Sequence, residues 1–87
     1  MKYRAIKMAP ADNVAVAAMD IPAGAPVDIS GGGEITVNEE IPAGHKIALE
    51  PVSGGSPVVR YGEVICTASR DIKAGDRVHV HNTKVEQ

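Results

Sequence analysis

The sequence predicts a single all-β domain of short strands with an internal repeat, and three observations carry that expectation. Its apolar residues are mostly Val, Ile and Ala, with one Leu and no Phe or Trp. Branching at Cβ restricts χ1 and suits a pleated surface, whereas a helical core of this size draws on Leu. Nine Gly and six Pro spread through 87 residues break the chain every several positions, which is the turn density of a small sandwich or barrel. The third observation is a phrase that occurs four times.

The phrase runs aliphatic, two spacers, glycine, two spacers, aliphatic. It stands at Ile21–Val27, Ile41–Ile47, Val52–Val58 and Ile72–Val78. The glycines, Gly24, Gly44, Gly55 and Gly75, lie at intervals of 20, 11 and 20, so residues 20–47 map onto 51–78 with a shift of 31. Two similar halves related by a pseudo-twofold are expected. In each phrase the first aliphatic anchors one strand end, the glycine takes a positive φ, and the second aliphatic starts the next strand.

Between the phrases, alternation predicts the strands. Val14, Val16 and Ala18 alternate over 13–19, although the alanines leave a short helix open. Further strands are expected over 34–37, 46–49, 57–61, 63–67 and 77–81, and Gly31-Gly32-Gly33 reads as a hairpin tip. No helix and no Lys-Ser/Thr follows the triple glycine, so it lacks the context of a phosphate loop. Residues 82–87 have little to bury and are expected to trail off. One domain over 1–87 is all this length allows, with an ordered core of about 2–82. A chain this short buries roughly 60 to 65% of its unfolded surface, which leaves little room for a deep cleft lined wholly from within.

Nine basic against eleven acidic residues give a net charge of −2, and no two cations are adjacent, so nucleic acid is not the expected partner. No apolar run reaches membrane-spanning length and the first residues lack a signal-peptide core; no membrane partner and a cytoplasmic address are expected. A single cysteine, Cys66, set between Ile65 and Thr67, agrees with a reducing compartment and reads as a buried, inert thiol.

Two of the three histidines occupy Val78-His79-Val80-His81-Asn82. Strand alternation puts His79 and His81 on the face opposite Val78 and Val80, with Cα atoms about 6.5 to 7 Å apart. That spacing suits one metal ion, one carboxylate or one hydroxyl-bearing ligand, and equally the solvent face of an edge strand. A metal would need a third ligand, His45 or an acid such as Asp12. His45-Lys46 follows a phrase glycine, and in the repeat Lys46 corresponds to Arg77; the two cations either bind a carboxylate or stand solvated on exposed turns. Asp12-Asn13 can cap a turn. Arg60-Tyr61-Gly62 ends a strand with a donor fork and a phenol, whose simplest role is a lid on the core.

Together, Asp12-Asn13-Val14-Ala15-Val16-Ala17, Ile41-Pro42-Ala43-Gly44-His45-Lys46-Ile47-Ala48-Leu49, Arg60-Tyr61-Gly62, Ile72-Lys73-Ala74-Gly75 and Val78-His79-Val80-His81-Asn82 resemble the N-terminal domain of altronate and galactarate dehydratases. The resemblance spans roughly residues 12 to 82 and departs from the family's usual Ile-Gly at Ile65-Cys66. It implies the SAF, or β-clip, fold. It also implies a small accessory subunit that docks on a large catalytic subunit, contributes His45, Lys46, His79, His81 and Asn82 to a shared site, and is inactive alone. The reaction implied is loss of water from a sugar acid, with a divalent metal, iron by resemblance, in the large subunit. The small subunit of sulfolactate sulfo-lyase and a non-enzymatic, ligand-binding or self-assembling SAF module are the alternatives.

Overall fold

Antiparallel pairing between short strands organises the chain; the computed structural model describes residues 2–79 and 81–84. Among these residues there are nine strands and no helix: β1 (Tyr3–Ile6), β2 (Val14–Ala17), β3 (Pro26–Ser30), β4 (Glu34–Thr36), β5 (Lys46–Ala48), β6 (Pro57–Arg60), β7 (Glu63–Ala68), β8 (Arg77–Val78) and β9 (Thr83–Lys84). Six form one sheet in the order β4-β3-β1-β2-β5-β8, and three form a second in the order β6-β7-β9. All pairs are antiparallel except β1 with β3. No helix among the described residues is long and apolar enough to cross a membrane.

The repeat is present down to individual hydrogen bonds. Ile21 pairs with Ile41 and Val52 with Ile72 as isolated antiparallel bridges, the same pair displaced by 31. Gly24 N–H donates to Val37 O at 2.8 Å and Gly55 N–H to Ala68 O at 2.7 Å; Gly44 N–H donates to Ala17 O at 2.9 Å and Gly75 N–H to Ala48 O at 2.8 Å. Each phrase closes a tight turn, for example His45 N–H to Pro42 O at 3.1 Å and Asp76 N–H to Lys73 O at 3.0 Å. The third turn residue has positive φ, 85° at Gly44 and 92° at Gly75, which is why glycine stands there. The hairpins match as well, with Pro26 opposite Thr36 and Pro57 opposite Thr67. Each half is tied by one aspartate used from opposite ends: Asp20 Oδ1 accepts from Ala43 N–H and Asp71 Oδ1 from Gly54 N–H, both at 2.8 Å.

Two cores sit on either side of the β2–β5 ribbon. Ala15 lies opposite Ile47 and Val14 opposite Ala48, and residues directly opposite share a face. Ala15 and Ile47 belong to a core with Ile21, Val27, Val37 and Ile41, whereas Val14 and Ala48 belong to a core with Val52, Val58, Ile72 and Val78. Each half therefore builds its own core, and the ribbon serves both. Cys66 lies buried in the second core as a free thiol.

The strand expectations hold for β2, β4, β5, β6 and β7, with β2 a strand rather than a helix. Three corrections follow. The strand expected over 77–81 stops at Val78, because the Asn82 side chain takes the backbone groups that a ladder would need. The chain does not trail off at Asn82: β9 pairs with β7, Ala68 opposite Thr83 and Thr67 opposite Lys84. Strands β1 and β3 add pairing that the phrase-based reading left unassigned. Val80 and residues 85–87, which carried parts of the alternation and of the trailing end, lie outside the described residues.

Candidate functional site

The fold brings His45 and His79 together from residues far apart in sequence. His45 ends the turn after Gly44, and its carbonyl accepts from Ala17 N–H at 2.9 Å, so its backbone is fixed while its side chain remains half-buried. His79 follows β8, which pairs with β5 one residue beyond His45, with Lys46 opposite Val78. The two imidazoles stack, with centroids 4.9 Å apart and planes inclined by 20°.

Asn82 sets the position of His79. Its side chain is buried, at 4% exposure, and makes two bonds: Oδ1 accepts from His79 N–H at 2.9 Å and Nδ2 donates to Arg77 O at 2.8 Å. Asn82 N–H and the Thr83 hydroxyl both donate to His79 O, at 3.1 and 2.7 Å. Asn82 is thus a positioning residue. His81, exposed in the same turn, does not extend a strand face beside His79.

Cations surround the pair. Burial lowers the pKa of His79 below its ordinary 6.5, and Arg77, His45, His81 and Lys46 push it the same way, in that order. Lys46 and Arg77, expected as a symmetric pair, lie on adjacent strands one step out of register; Arg77 is opposite Ile47, so alternation directs the two stems from opposite faces. Glu39, which the sequence did not single out, accepts from Arg77 N–H through Oε2 at 3.1 Å, and its Oε1 lies 4.0 Å from Arg77 Nε. It partly neutralises Arg77 and leaves Lys46 as the more available cation.

Asp12, Asn13, Arg60 and Tyr61 form a separate constellation. Val16 lies opposite Lys46 and Asn13 precedes the other end of β2, so the two groups are set at opposite ends of that strand. Asp12, at 3% exposure, accepts from Gly62 N–H at 2.8 Å and from Tyr61 and Ala9 N–H at 3.0 Å. Burial alone would raise its pKa, but the backbone donors of Gly62, Tyr61, Ala9 and Met8 outweigh it and hold the carboxyl below its ordinary 3.8. Asn13 accepts from Val59 N–H at 2.8 Å and donates to Pro57 O at 3.0 Å. Both side chains are spent on backbone, the capping role, and Tyr61 is exposed rather than a lid on the core.

The arrangement suits an anion. Lys46 offers a cation to a carboxylate, and the half-buried His79, held neutral, can donate to or accept from a hydroxyl. No three His, Cys, Asp or Glu side chains among the described residues converge as a metal-ligand set.

The chain is thus a small duplicated β module that carries a stacked imidazole pair near Lys46 and Arg77. The family model described as the altronate/galactarate dehydratase SAF domain matches residues 3–86, and the chain belongs to that family. It is 43% identical over 79 residues to altronate dehydratase of Bacillus subtilis strain 168, covering 91% of this chain and 16% of that enzyme. It is 40% identical over 84 residues to altronate dehydratase of Escherichia coli K12, covering 97% of this chain and 16% of that enzyme. It is also 38% identical over 53 residues to the (2R)-sulfolactate sulfo-lyase subunit alpha of Paracoccus pantotrophus, covering 61% of this chain and 79% of that subunit. The chain spans about a sixth of the length of the two dehydratases it matches.

Proposed function

We propose that this module works with a larger dehydratase portion and lends the His45–His79 cluster to the rim of a shared site for a sugar acid. The observation that carries this reading is the stacked pair itself, half-buried among cations and fixed by a buried asparagine. The substrate class is that of altronate and galactarate, and the reaction is loss of water to a 2-keto-3-deoxy acid. Lys46 neutralises the carboxylate, and His45 or His79 orients a hydroxyl. The described residues of this chain hold no set of three ligands for a divalent metal, and the iron of the reaction is assigned to the larger portion.

A second reading is favoured by a specific observation. The sulfo-lyase alpha subunit is matched over 79% of its length, so in that relative a module of this kind makes up most of a separate chain. A sulfolactate-type substrate would use the same carboxylate contacts.

Reconstitution tests both readings. The purified chain, the larger portion encoded with it, and the two combined are assayed for keto-acid formation from altronate and galactarate, and for sulfite release from sulfolactate. Turnover only in the mixture supports the accessory role. Full turnover by the larger portion alone, or by the 87-residue chain alone, refutes it.

A further inference from the structure

The two halves differ most at their hairpin tips. The β3–β4 tip is Gly31-Gly32-Gly33, closed by backbone bonds such as Gly32 N–H to Ile29 O at 3.0 Å and bare of side chains. At the corresponding place the β6–β7 hairpin carries Arg60-Tyr61-Gly62, and its register shifts by a β-bulge between Val58 and Val59. Tyr61 adopts φ 56°, the left-handed region that side chains resist, and is 63% exposed; Val64, on the same hairpin, is 60% exposed.

This unfavourable display is held firmly. The buried Asp12 carboxylate takes the N–H groups of Tyr61 and Gly62, and Asn13 takes one and gives one to the β6 backbone. Arg60 lies over the Tyr61 ring, 5.6 Å from its centroid, and its buried Nε has no hydrogen-bond partner among the described residues. Nothing in the frame requires these features, since the sister hairpin closes without them. A rigid tip presenting an aromatic ring, a branched aliphatic and a guanidinium has the composition of an interface hot spot, ordered before binding.

Resting on the accessory reading above, we propose that the Arg60–Val64 tip anchors this module on the larger dehydratase portion. That portion supplies an apolar recess for Tyr61 and Val64, with a carboxylate beside it for Arg60. The occupant follows from length: this chain accounts for 16% of the related dehydratases, so most of such an enzyme must be accommodated against it. Position agrees, because the tip stands at the Asn13 end of β2 and leaves the His45–His79 cluster at the other end open to substrate. Asp12 is a positioning residue for the interface.

The test measures affinity, by titration calorimetry, between this chain and the larger portion encoded with it, produced as a separate polypeptide. Tyr61→Ala and Val64→Ser should each raise Kd at least about tenfold, and Arg60→Gln several-fold, with melting temperatures close to wild type. Asp12→Asn should weaken binding while raising amide exchange at Tyr61 and Gly62. Ile6→Ser, a change at an exposed aliphatic elsewhere, should leave Kd unchanged. Wild-type binding that survives both Tyr61→Ala and Val64→Ser overturns this assignment and leaves the accessory reading intact. A wild-type chain that does not bind at all overturns the accessory reading itself.

Discussion

Replacing Gly75 and Gly44 by alanine separates two effects that the repeat would otherwise make equal. Both glycines have positive φ, 92° and 85°, and both donate to the preceding ribbon. A Cβ on Gly44 meets nothing within 4 Å. A Cβ on Gly75 would overlap the carbonyl oxygen of Thr36 and stand 3.2 Å from Asn38 Nδ2. That oxygen cannot retreat easily, since the neighbouring Asn38 is tied to this turn by N–H to Gly75 O at 3.0 Å and by Nδ2 to Ala74 O and to Asp76 Oδ1, both at 2.9 Å. Here the second half docks on the first.

The left-handed conformation costs an alanine about 1–2 kcal/mol, offset by about 0.4–1 kcal/mol from the stiffer unfolded chain. Gly44→Ala should therefore lose about 1 kcal/mol. Gly75→Ala adds overpacking worth about 1–3 kcal/mol, for a total of about 2–4 kcal/mol. For a domain of this size each kcal/mol shifts the melting temperature by about 4–8 °C, so the expected drops are about 4–8 °C and about 8–32 °C. Far-ultraviolet circular dichroism melts are suitable, because the chain has no Trp and only two Tyr to report packing. Equal drops for the two variants would refute the close approach at Thr36, and with it the account of how the halves join.

Other outcomes follow from the site. Because the folded pKa of His79 lies below 6.5, the unfolded chain binds more protons there; its contribution to stability is complete above 6.5 and is lost as pH falls through the lower folded value. Asp12 acts in the same direction below its ordinary 3.8. Melting temperature should fall in two stages on acidification, His79→Gln abolishing the upper and Asp12→Asn reducing the lower; a flat profile above pH 4 in the wild type would contradict the His79 assignment. Asn82→Ala leaves His79 N–H and Arg77 O without their partner, a loss of about 1–3 kcal/mol seen in denaturant melts. It should also reduce reconstituted activity, as His79 loses its position. His79→Ala should reduce that activity at least about tenfold with a smaller effect on melting than Asn82→Ala, since the backbone bonds of the turn remain; full activity would remove His79 from the site.

The repeat was legible because glycine at a positive φ is a local demand that leaves a fixed mark. β3 also left a mark, with Val27 and Ile29 buried and Asp28 between them; the phrase has Val27 start a strand, but the turn signals around it give that strand no bounds. β1 is masked because Ile6 is an apolar residue on its exposed side. β9 has no apolar residue, and it is held to β7 by strand pairing and by the Thr67 hydroxyl donating to Lys84 O at 3.3 Å. The histidine alternation failed for a definite reason: Asn82 offers the backbone side-chain bonds that compete with a ladder, so β8 ends before His79. The partnership of His45 with His79 was not readable at all, because it depends on how β8 lies against β5.

Duplication also explains where the chemistry is found. The frame needs the turn glycines, the anchoring aliphatics and the proline–threonine pairs, and these recur in both halves. A position whose residue type does not recur is one the frame leaves free. His45 corresponds to Asp76, His79 to Ala48, and Tyr61 to Ser30, so the stacked histidines and the exposed tyrosine of the tip lie where the halves diverge. Even the supports obey this logic: Asp12, Asn13 and Asn82 lie outside the 20–47 and 51–78 units and fasten the divergent residues to them from the flanks. Two copies of one unit thus secure the fold, and the segments before, between and after them make the two faces unlike.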